Sequence, residues 1–273
     1  MKFNHLNTLI KTAIVVALFT LFILFSALWY FSSGLPDYKK LATYEPPVSS
    51  RVYANNGDLI AEYAIEKRLF IPYDAIPAPI INAFLSAEDK NFFDHPGIDP
   101  RGIIRAVINN FKNIINDKRL EGASTITQQV AKNFLLTNEV SLKRKIKEAI
   151  LAFRIEKAYS KERILELYLN QIYLGSGTYG IAAASLEYFD KSVKELNYSE
   201  AALLAALPKA PSKYNPFRFY EEAKLRRNLV LKNLNENNFI DNNELEKYTA
   251  EEIDLKKRKI KLLQEANYYT EEI

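Results

Sequence analysis

The most pronounced hydrophobic pattern in this sequence is an uninterrupted apolar stretch near the N-terminus. No charged residue occurs over 12–33, and the stretch closes with Trp29 and Tyr30 before a few small residues. A helix of about 20 apolar residues spans a bilayer, and aromatic side chains favour the membrane interface. The pattern predicts a single-pass transmembrane anchor over 12–33, behind a short cytoplasmic head at 1–11. A cleaved signal peptide is the alternative, although the apolar run is long for one.

Two shorter patterns follow the anchor. Residues 34–50 contain three prolines and indicate an extended linker. Strand-like segments at 51–54 and 59–65 flank Asn-Asn-Gly-Asp at 55–58, which is a signal for a hairpin turn. We expect a β-hairpin at this point, with a third strand over 69–73.

From residue 79 onward the apolar positions recur with helical spacing, which predicts a mainly α fold with a small β element. One helix ends near Glu88, and another opens at Asp99 and Pro100, a typical N-cap and first-turn pair. The apolar positions of that second helix form one stripe, comprising Ile103, Ile104, Val107, Ile108, Phe111, Ile114 and Ile115. Further helices are predicted over 125–136, 141–159, 161–173, 181–189, 199–207, 220–237 and 242–249, with Ser141 and Ser160 as caps.

The composition narrows the classes of function. The 273 residues include no cysteine, so disulfides and thiolate metal sites are excluded. His95 is the one histidine after the anchor, which excludes a zinc site of clustered histidines. The net charge of +4 is too small to indicate nucleic acid, but it suits work near anionic lipid or on a phosphorylated substrate. Six of the eight glycines lie over 97–180, which is where we expect the cleft.

Two adjacent carboxylates, Glu88 and Asp89, stand where the first of these helices ends. Glu88 falls one turn after Phe84, and a loop that carries His95 follows. Loss of hydration beside aromatic rings and the negative end of a helix dipole both raise the pKa of a carboxyl group. Such a shift suits a general base, so Glu88 is the leading candidate. The alternative is a solvated Glu-Asp pair at a helix end.

A run of small, hydroxyl and amide side chains over 122–133 opens the helix predicted at 125–136. Free backbone N–H groups and the positive dipole of a helix start favour phosphate, and Lys132 would add a counter-charge. Gln129 and Lys132 lie three residues apart, so both side chains can reach one ligand. The alternative is an ordinary N-cap followed by a polar helix face.

Charged side chains gather on the next predicted helix, at Arg144, Lys145 and Glu148. An i, i+4 pair such as Arg144 and Glu148 is by itself typical of a surface ion pair. In the functional interpretation the cations meet a diphosphate while Glu148 supplies a second carboxylate. Arg105 interrupts the apolar stripe, where arginines are commonly surface residues with buried stems.

Taken in order, these stretches resemble the five motifs of the peptidoglycan glycosyltransferases, lysozyme-like enzymes that polymerise a lipid-linked disaccharide-peptide. The first motif, Glu-Asp-x-x-Phe-x-x-His-x-Gly, is matched from Glu88 to Gly97. The others are Gly-Ala-Ser-Thr-Ile-Thr-Gln-Gln from 122, Arg-Lys-x-x-Glu from 144, Ile-Leu-Glu-Leu-Tyr-Leu-Asn from 164 and Arg-Arg-Asn-Leu-Val-Leu from 226. The resemblance implies a lysozyme-like glycosyltransferase domain over 51–240 and a helical tail or linker at 241–273.

The resemblance also implies roles for individual residues. Glu88 would take the proton from the 4-hydroxyl of an incoming lipid II. That hydroxyl attacks the anomeric carbon of the growing strand, and the configuration at this carbon inverts. Undecaprenyl diphosphate departs, and Glu148 is the second catalytic carboxylate. The residues that would bind substrate or its diphosphate are Arg105, Thr125, Gln128, Gln129, Lys132, Asn133, Arg144 and Lys145. The residues that would shape the acceptor pocket are Asp89, Phe92 and His95. No cofactor is required; Glu148 would either coordinate a divalent cation, Mg or Mn, or orient the donor phosphate or a cationic neighbour.

The anchor and the hairpin are most similar to those of class A penicillin-binding proteins, which continue into a transpeptidase domain. The Ser-x-x-Lys and Lys-Thr-Gly patterns of that domain are absent here, so we expect a truncated member that does not bind penicillin. The implied location is the cytoplasmic membrane, with the catalytic domain on the periplasmic or outer side. The implied partners are lipid II, the growing lipid-linked strand and other proteins of cell-wall synthesis, with no nucleic acid.

Two other classes of function remain open at this point. A lysozyme-like hydrolase or lytic transglycosylase also uses a glutamate in a helical cleft, but it cuts soluble glycan and needs no phosphate-binding cations. An anchored scaffold that has kept the fold for partner binding would bind lipid II without polymerising it.

Overall fold

The structure, a computed structural model, describes residues 2–42, 44, 50–53, 59–63, 67–116, 122–137, 139 and 141–256. The helices are α1 (Lys2–Ser32), α2 (Ala78–Glu88), α3 (Pro100–Ile115), α4 (Ile126–Leu135), α5 (Leu142–Ala158), α6 (Lys161–Gln171), α7 (Ile181–Phe189), α8 (Tyr198–Ala206), α9 (Tyr220–Glu236) and α10 (Asn242–Ala250). The strands are β1 (Ser50–Tyr53), β2 (Leu59–Tyr63), β3 (Lys67–Arg68), β4 (Tyr173–Gly175) and β5 (Thr178–Tyr179). The predicted mainly α fold with a small β element is confirmed.

The predicted hairpin forms, but the predicted third strand over 69–73 is wrong. β1 and β2 pair antiparallel, and the predicted turn at 55–58 lies outside the described residues. The strand after the hairpin is β3, which pairs parallel with β5 in a second sheet. Beyond β3 the chain is held by side chains of α6, since the backbone N–H of Ile71 donates to Asn170 Oδ1 at 2.8 Å. This side-chain attachment replaces a sheet ladder.

The helix starts follow the capping residues read from the sequence. Asp99 caps α3, and Ser141 and Ser160 cap α5 and α6 by accepting backbone N–H bonds. Each such cap stabilises a helix by about 1 kcal/mol. The predicted helix at 181–189 matches α7, whereas the one predicted over 161–173 ends at Gln171 because β4 begins two residues later.

The core forms where α2, α4, α6, α8 and α9 meet. α2 packs against α8 and α9, and α4 packs against α5 and α6. The buried rings of Phe84 and Tyr168 meet edge to face, with their centroids 6.2 Å apart. Burying a side chain of this size contributes about 1.5–3 kcal/mol, so the end of α2 is firmly fixed beside α6.

The apolar stripe of α3 lies outside this core. Its seven side chains are exposed, from 41% for Ile103 to 70% for Phe111, and on this helix only Gly102 and Ala106 are buried. Helical periodicity showed that the stripe exists, but periodicity carries no information about what covers it. The described part of the chain leaves a large apolar surface uncovered here.

One helix in the described part is long and apolar enough to cross a membrane, over Ile10–Ser32. The C-terminal end of this helix is attached to the helical domain, because Arg154 of α5 donates to the hydroxyl of Ser32. The predicted linker at 34–50 is not wholly extended, because a 3₁₀ turn at Tyr38–Leu41 buries Leu41 in the core. The division into a domain at 51–240 and a tail at 241–273 stays a prediction, and 257–273 lies outside the described residues.

Candidate active site

Glu88 is the last residue of α2, and its carboxylate is half-buried. The side-chain amide of Gln129 on α4 donates to it, with 2.7 Å between Nε2 and Oε2. Burial raises the pKa of the Glu88 carboxyl group, and the hydrogen bond from Gln129 partly opposes this shift. The raised pKa expected from the sequence is therefore confirmed in direction, with loss of hydration as its largest cause.

Asp89 joins the end of α2 to the start of α4. Its carboxylate accepts from the backbone N–H of Ile126 at 2.9 Å and from His95 Nε2 at 3.0 Å. The Nδ1 atom of His95 accepts from the backbone N–H of Gly97, which assigns the ring proton to Nε2. Hydrogen bonds to a charged group stabilise by about 1.5–3 kcal/mol each, so Asp89 fixes the loop after Glu88.

The expected acceptor-pocket residues therefore lie beneath the surface of the site. Asp89 and His95 are buried, and Phe92 is fully buried. Lys161 stacks over the ring of Phe92 at 4.4 Å and donates to the backbone oxygen of His95. Asp89 and Phe92 are enclosed within the protein, whereas His95 and Lys161 also line a cavity of about 390 Å³.

Thr125 and Gln128, which are expected to line a donor site, are buried at the start of α4, and their contact with substrate stays a prediction. They form a capping box at the start of α4, in which Gln128 Oε1 accepts from the Thr125 N–H and the Thr125 hydroxyl accepts from the Gln128 N–H. The Thr125 hydroxyl also donates to the carbonyl of Gly97 at 2.7 Å. The sequence pattern located a helix start correctly, but the Thr125 hydroxyl and the Gln128 Oε1 atom are occupied within the protein. Gln129 alone of this group reaches Glu88.

A cationic cluster forms at Arg144, Lys145 and Glu148 on α5. The Glu148 carboxylate is buried and contacts Arg144 Nη1 through one oxygen and Lys145 Nζ through the other, the latter at 2.8 Å. Lys145 Nζ also donates to the hydroxyl of Ser124, just before α4, at 2.7 Å. Two cations and one carboxylate leave the cluster with a net positive charge.

Lys132 on α4 lies between this cluster and Glu88. Burial lowers the pKa of its ammonium group, and the positive charges of Arg144 and Lys145 lower it further. The negative charges of Glu148 and Glu88 act in the opposite direction. Repulsion from these two cations disfavours the charged form of Lys132, and a bound anion would relieve that repulsion. The arrangement therefore suits an anionic ligand.

Two predicted ligand residues are not brought into contact with this cluster. Arg105 is exposed on α3 and makes no hydrogen bond or ion pair with another described residue. Asn133 is exposed on α4, one turn after Gln129. Substrate binding by either residue stays a prediction.

Lys209 and Arg226 act on Glu88, although sequence reasoning gave neither of them a role. Both positive charges lower the pKa of the Glu88 carboxyl group against the effect of burial. Lys209 comes from the 3₁₀ turn Leu207–Lys209 and Arg226 comes from α9. Arg226 belongs to the fifth motif, which was a signal for it, whereas no local pattern distinguishes Lys209.

A divalent cation at Glu148 also stays a prediction. Both Glu148 oxygens bond to cationic side chains, and no group of three or more His, Cys, Asp or Glu side chains that could hold a metal ion is found among the described residues. A Mg²⁺ site commonly combines one or two carboxylates with waters and substrate phosphates, and Glu148 is the carboxylate that this cluster offers. The steps proposed below are assigned to side chains.

Comparison with known proteins places this site in a family. Residues 56–235 match the family model described as Transglycosylase. The chain belongs to the Transglycosylase family. This finding confirms the resemblance to peptidoglycan glycosyltransferases that the five motifs indicated, and it makes the chain an enzyme domain of that class.

The relatives of this transglycosylase are much longer than the chain itself. It is 50% identical over 246 residues to Penicillin-binding protein 1A of Rickettsia felis, covering 90% of this chain and 31% of that protein. It is 50% identical over 244 residues to Penicillin-binding protein 1A of Aquifex aeolicus, covering 89% and 33%. A crystal structure of Penicillin-Binding Protein 1A from Haemophilus influenzae is 27% identical, with a TM-score of 0.45, covering 80% of this chain and 22% of that one. The chain thus spans about a third of the length of the two curated relatives.

Proposed function

We propose that this chain is a membrane-anchored peptidoglycan glycosyltransferase that polymerises lipid II into β-1,4 glycan strands. The observation that carries the proposal is the juxtaposition of Glu88, a half-buried carboxylate of raised pKa, with Lys132 and the net positive cluster on α5. A general base beside a diphosphate site is what this reaction requires. Family membership at residues 56–235 supports the same substrate class.

Glu88 removes the proton from the 4-hydroxyl of the acceptor sugar. Gln129 occupies Oε2, and Oε1 accepts no hydrogen bond from another described residue, so that oxygen is available to the hydroxyl. The acceptor oxygen forms a bond to the anomeric carbon of the donor, the bond from that carbon to the diphosphate breaks, and the configuration inverts. The proton ends on Glu88, and undecaprenyl diphosphate leaves with the bonding electron pair.

The cations stabilise the leaving group. Negative charge grows on the diphosphate as its bond to the sugar breaks, and preorganised cations in a partly desolvated site stabilise such charge strongly. Lys132, Arg144 and Lys145 carry this role. Glu148 holds Arg144 and Lys145 in place through its two oxygens, which makes it a positioning carboxylate in this account.

The cytoplasmic membrane is the proposed location, with the helical domain on its outer side. Ile10–Ser32 is long enough to span a bilayer, and the exposed apolar stripe of α3 provides a second surface suited to the acyl boundary. Both substrates carry lipid tails, so confinement to the bilayer raises their effective concentration. Cleavage by added protease in spheroplasts, but not in intact cells, would test the outward orientation.

The direct test is incubation of the detergent-solubilised protein with labelled lipid II, with and without the glycosyltransferase inhibitor moenomycin, followed by gel separation. A ladder of strands that moenomycin abolishes is expected. Binding of lipid II without a ladder would favour the scaffold, and release of soluble sugar from finished cell wall would favour the hydrolase.

A further inference from the structure

Two buried side-chain atoms in the described part of the chain, Tyr168 Oη and Arg226 Nε, have no hydrogen-bond partner. Unpaired buried polar groups are rare in folded proteins because desolvation is not compensated, so each needs an explanation. Both residues interact electrostatically with Glu88. Both unpaired donors therefore belong to the electrostatic surroundings of the Glu88 carboxylate.

Tyr168 is placed by the packing of α6 against α2. Its side chain is 1% exposed, and its ring meets Phe84 edge to face. Phe84 lies four residues before Glu88, on the same side of α2. Burial, together with the negative charges of Glu88 and Asp89, raises the pKa of the Tyr168 hydroxyl well above its ordinary value. The hydroxyl therefore remains protonated at neutral pH and is a donor.

Arg226 is placed by the attachment of α9 to the end of α2. Asn233 of α9 and Asn237, the C-cap of that helix, donate to the carbonyl and the hydroxyl of Ser86, at 3.0 and 3.1 Å. Arg226 lies seven residues before Asn233 and therefore on the same face of α9. A guanidinium group keeps its proton in proteins, so Arg226 is a permanent donor and a permanent positive charge.

We propose that Tyr168 and Arg226 are positioning residues for Glu88, each donating to its carboxylate through an ordered water and so holding it charged and aimed at the substrate hydroxyl. Bridging waters of this kind satisfy buried groups that lie beyond direct hydrogen-bond distance. The inference rests on the proposed function of Glu88 as general base, and it adds two donors to the direct one from Gln129.

Other charged groups also face Glu88, and the variants that test the inference must leave them unsubstituted. Asp89 adjoins it on α2, Lys132 faces it from α4, and Lys209 faces it from the turn after α8. Variants of Tyr168 and Arg226 leave all three in place. A change in the titration of Glu88 then reports the removed donor.

The informative variant is Tyr168→Phe, with Tyr188→Phe as its matched control. The Tyr168 hydroxyl has no protein partner, so a purely structural role predicts no loss of melting temperature and no change in activity on its removal. The Tyr188 hydroxyl is also buried but donates to the carbonyl of Leu174 at 2.8 Å. Tyr188→Phe should therefore lower the melting temperature while leaving the pH profile unchanged.

For Tyr168→Phe we expect kcat/KM at neutral pH to fall about tenfold, the effect of losing a hydrogen bond to a charged group. The acidic limb of its pH profile should move to higher pH, because the charged carboxylate loses a donor. Arg226→Lys keeps the charge without Nε, so it should shift the profile less than Arg226→Gln. Profiles that superimpose on that of the unmodified protein would overturn the inference.

A second measurement keeps the inference separate from the proposed function. The side-chain amide of Gln129, labelled with ¹⁵N and followed by NMR, reports the ionisation of Glu88 without any turnover. Its titration midpoint should be higher in Tyr168→Phe than in the unmodified protein and unchanged in Tyr188→Phe. Equal midpoints in all three proteins would overturn the positioning role even if lipid II is polymerised. Failure of the unmodified protein to polymerise, with the shift present, would count against the proposed function alone.

Discussion

The carboxylate of Glu88 accepts a hydrogen bond from the side-chain amide of Gln129, with 2.7 Å between donor and acceptor. This bond joins the last residue of α2 to the first turn of α4. It favours the charged form of Glu88 in a setting where burial disfavours it. The surroundings of Glu88 therefore disfavour its charged form through burial, while the bond from Gln129 fixes the direction of its carboxylate.

Gln129→Met keeps the shape of the side chain but removes the donor. The pKa of Glu88 should rise further, because the hydrogen bond that lowers it is lost. A general base must be ionised, so activity should be lost at a higher pH as the solution is acidified. The pH profile of kcat/KM for polymerisation checks this expectation. An acidic limb identical to that of the unmodified protein would mean that the bond does not influence catalysis.

Lys132→Met should lower the activity of the protein without lowering its stability. Burial and two neighbouring cations lower the pKa of Lys132, so its charged form costs stability at pH values below the ordinary lysine pKa. At neutral pH the variant should melt at the same temperature or higher. Polymerisation should fall by about 100-fold or more, because a cation at the leaving group is removed.

The matched control for that variant is Lys143→Met, an exposed position one residue before Arg144. It should change neither the melting temperature nor the rate. Equal activity of Lys132→Met and Lys143→Met would remove Lys132 from the diphosphate site.

Glu148→Gln should weaken both the fold and the reaction. The neutral amide leaves Arg144 and Lys145 without their shared anion, and we expect a loss of about 1–2 kcal/mol because both cations are partly exposed. Thermal melting measures the loss, with Glu236→Gln in the surface pair with Lys232 as the control of little effect. A fully active and fully stable Glu148→Gln protein would show that the carboxylate is needed neither for the fold nor for the position of the two cations.

Gly97→Ala tests the backbone of the loop after Glu88. Gly97 has φ +93, and an added Cβ would lie 2.8 Å from the carbonyl oxygen of Ala152. Strain of this kind costs about 1–3 kcal/mol, so the melting temperature should drop clearly. At Gly122 the same substitution meets no atom within 4 Å, and it should be nearly neutral. Similar melting of both variants would show that the loop adapts freely.

Local signals predicted much of the fold. Asp99, Ser141 and Ser160 cap helices as expected, because an N-cap depends on one side chain and the next few N–H groups. The third strand failed because its segment is fixed by Asn170, about 100 residues away, and no local pattern contains that contact. The apolar stripe of α3 formed as predicted, but its exposure depends on what surrounds it.

In the candidate site, too, the features that depend on local sequence were predicted, and those that depend on distant contacts were not. Glu88 was identified from its place at a helix end among aromatic residues, and its raised pKa follows from that local setting. Thr125 and Gln128 were assigned to substrate because hydroxyl and amide groups suit a ligand, yet a capping box uses the same groups. The fourth and fifth motifs contain Tyr168 and Arg226, but the position of both near Glu88, and that of Lys209, became visible only once α2, α6, α8 and α9 were placed together.

Polymerisation of labelled lipid II by Glu88→Gln, measured beside Glu246→Gln at an exposed position of α10, tests the general base most directly. Because burial raises the pKa of Glu88, its charged form costs stability as the pH rises above the ordinary carboxyl range, so Glu88→Gln should melt at or above the temperature of the unmodified protein at pH 7. We expect Glu88→Gln to fold and to form no glycan ladder, while Glu246→Gln forms the full ladder. A full ladder from well-folded Glu88→Gln would contradict the assignment of Glu88 as the general base.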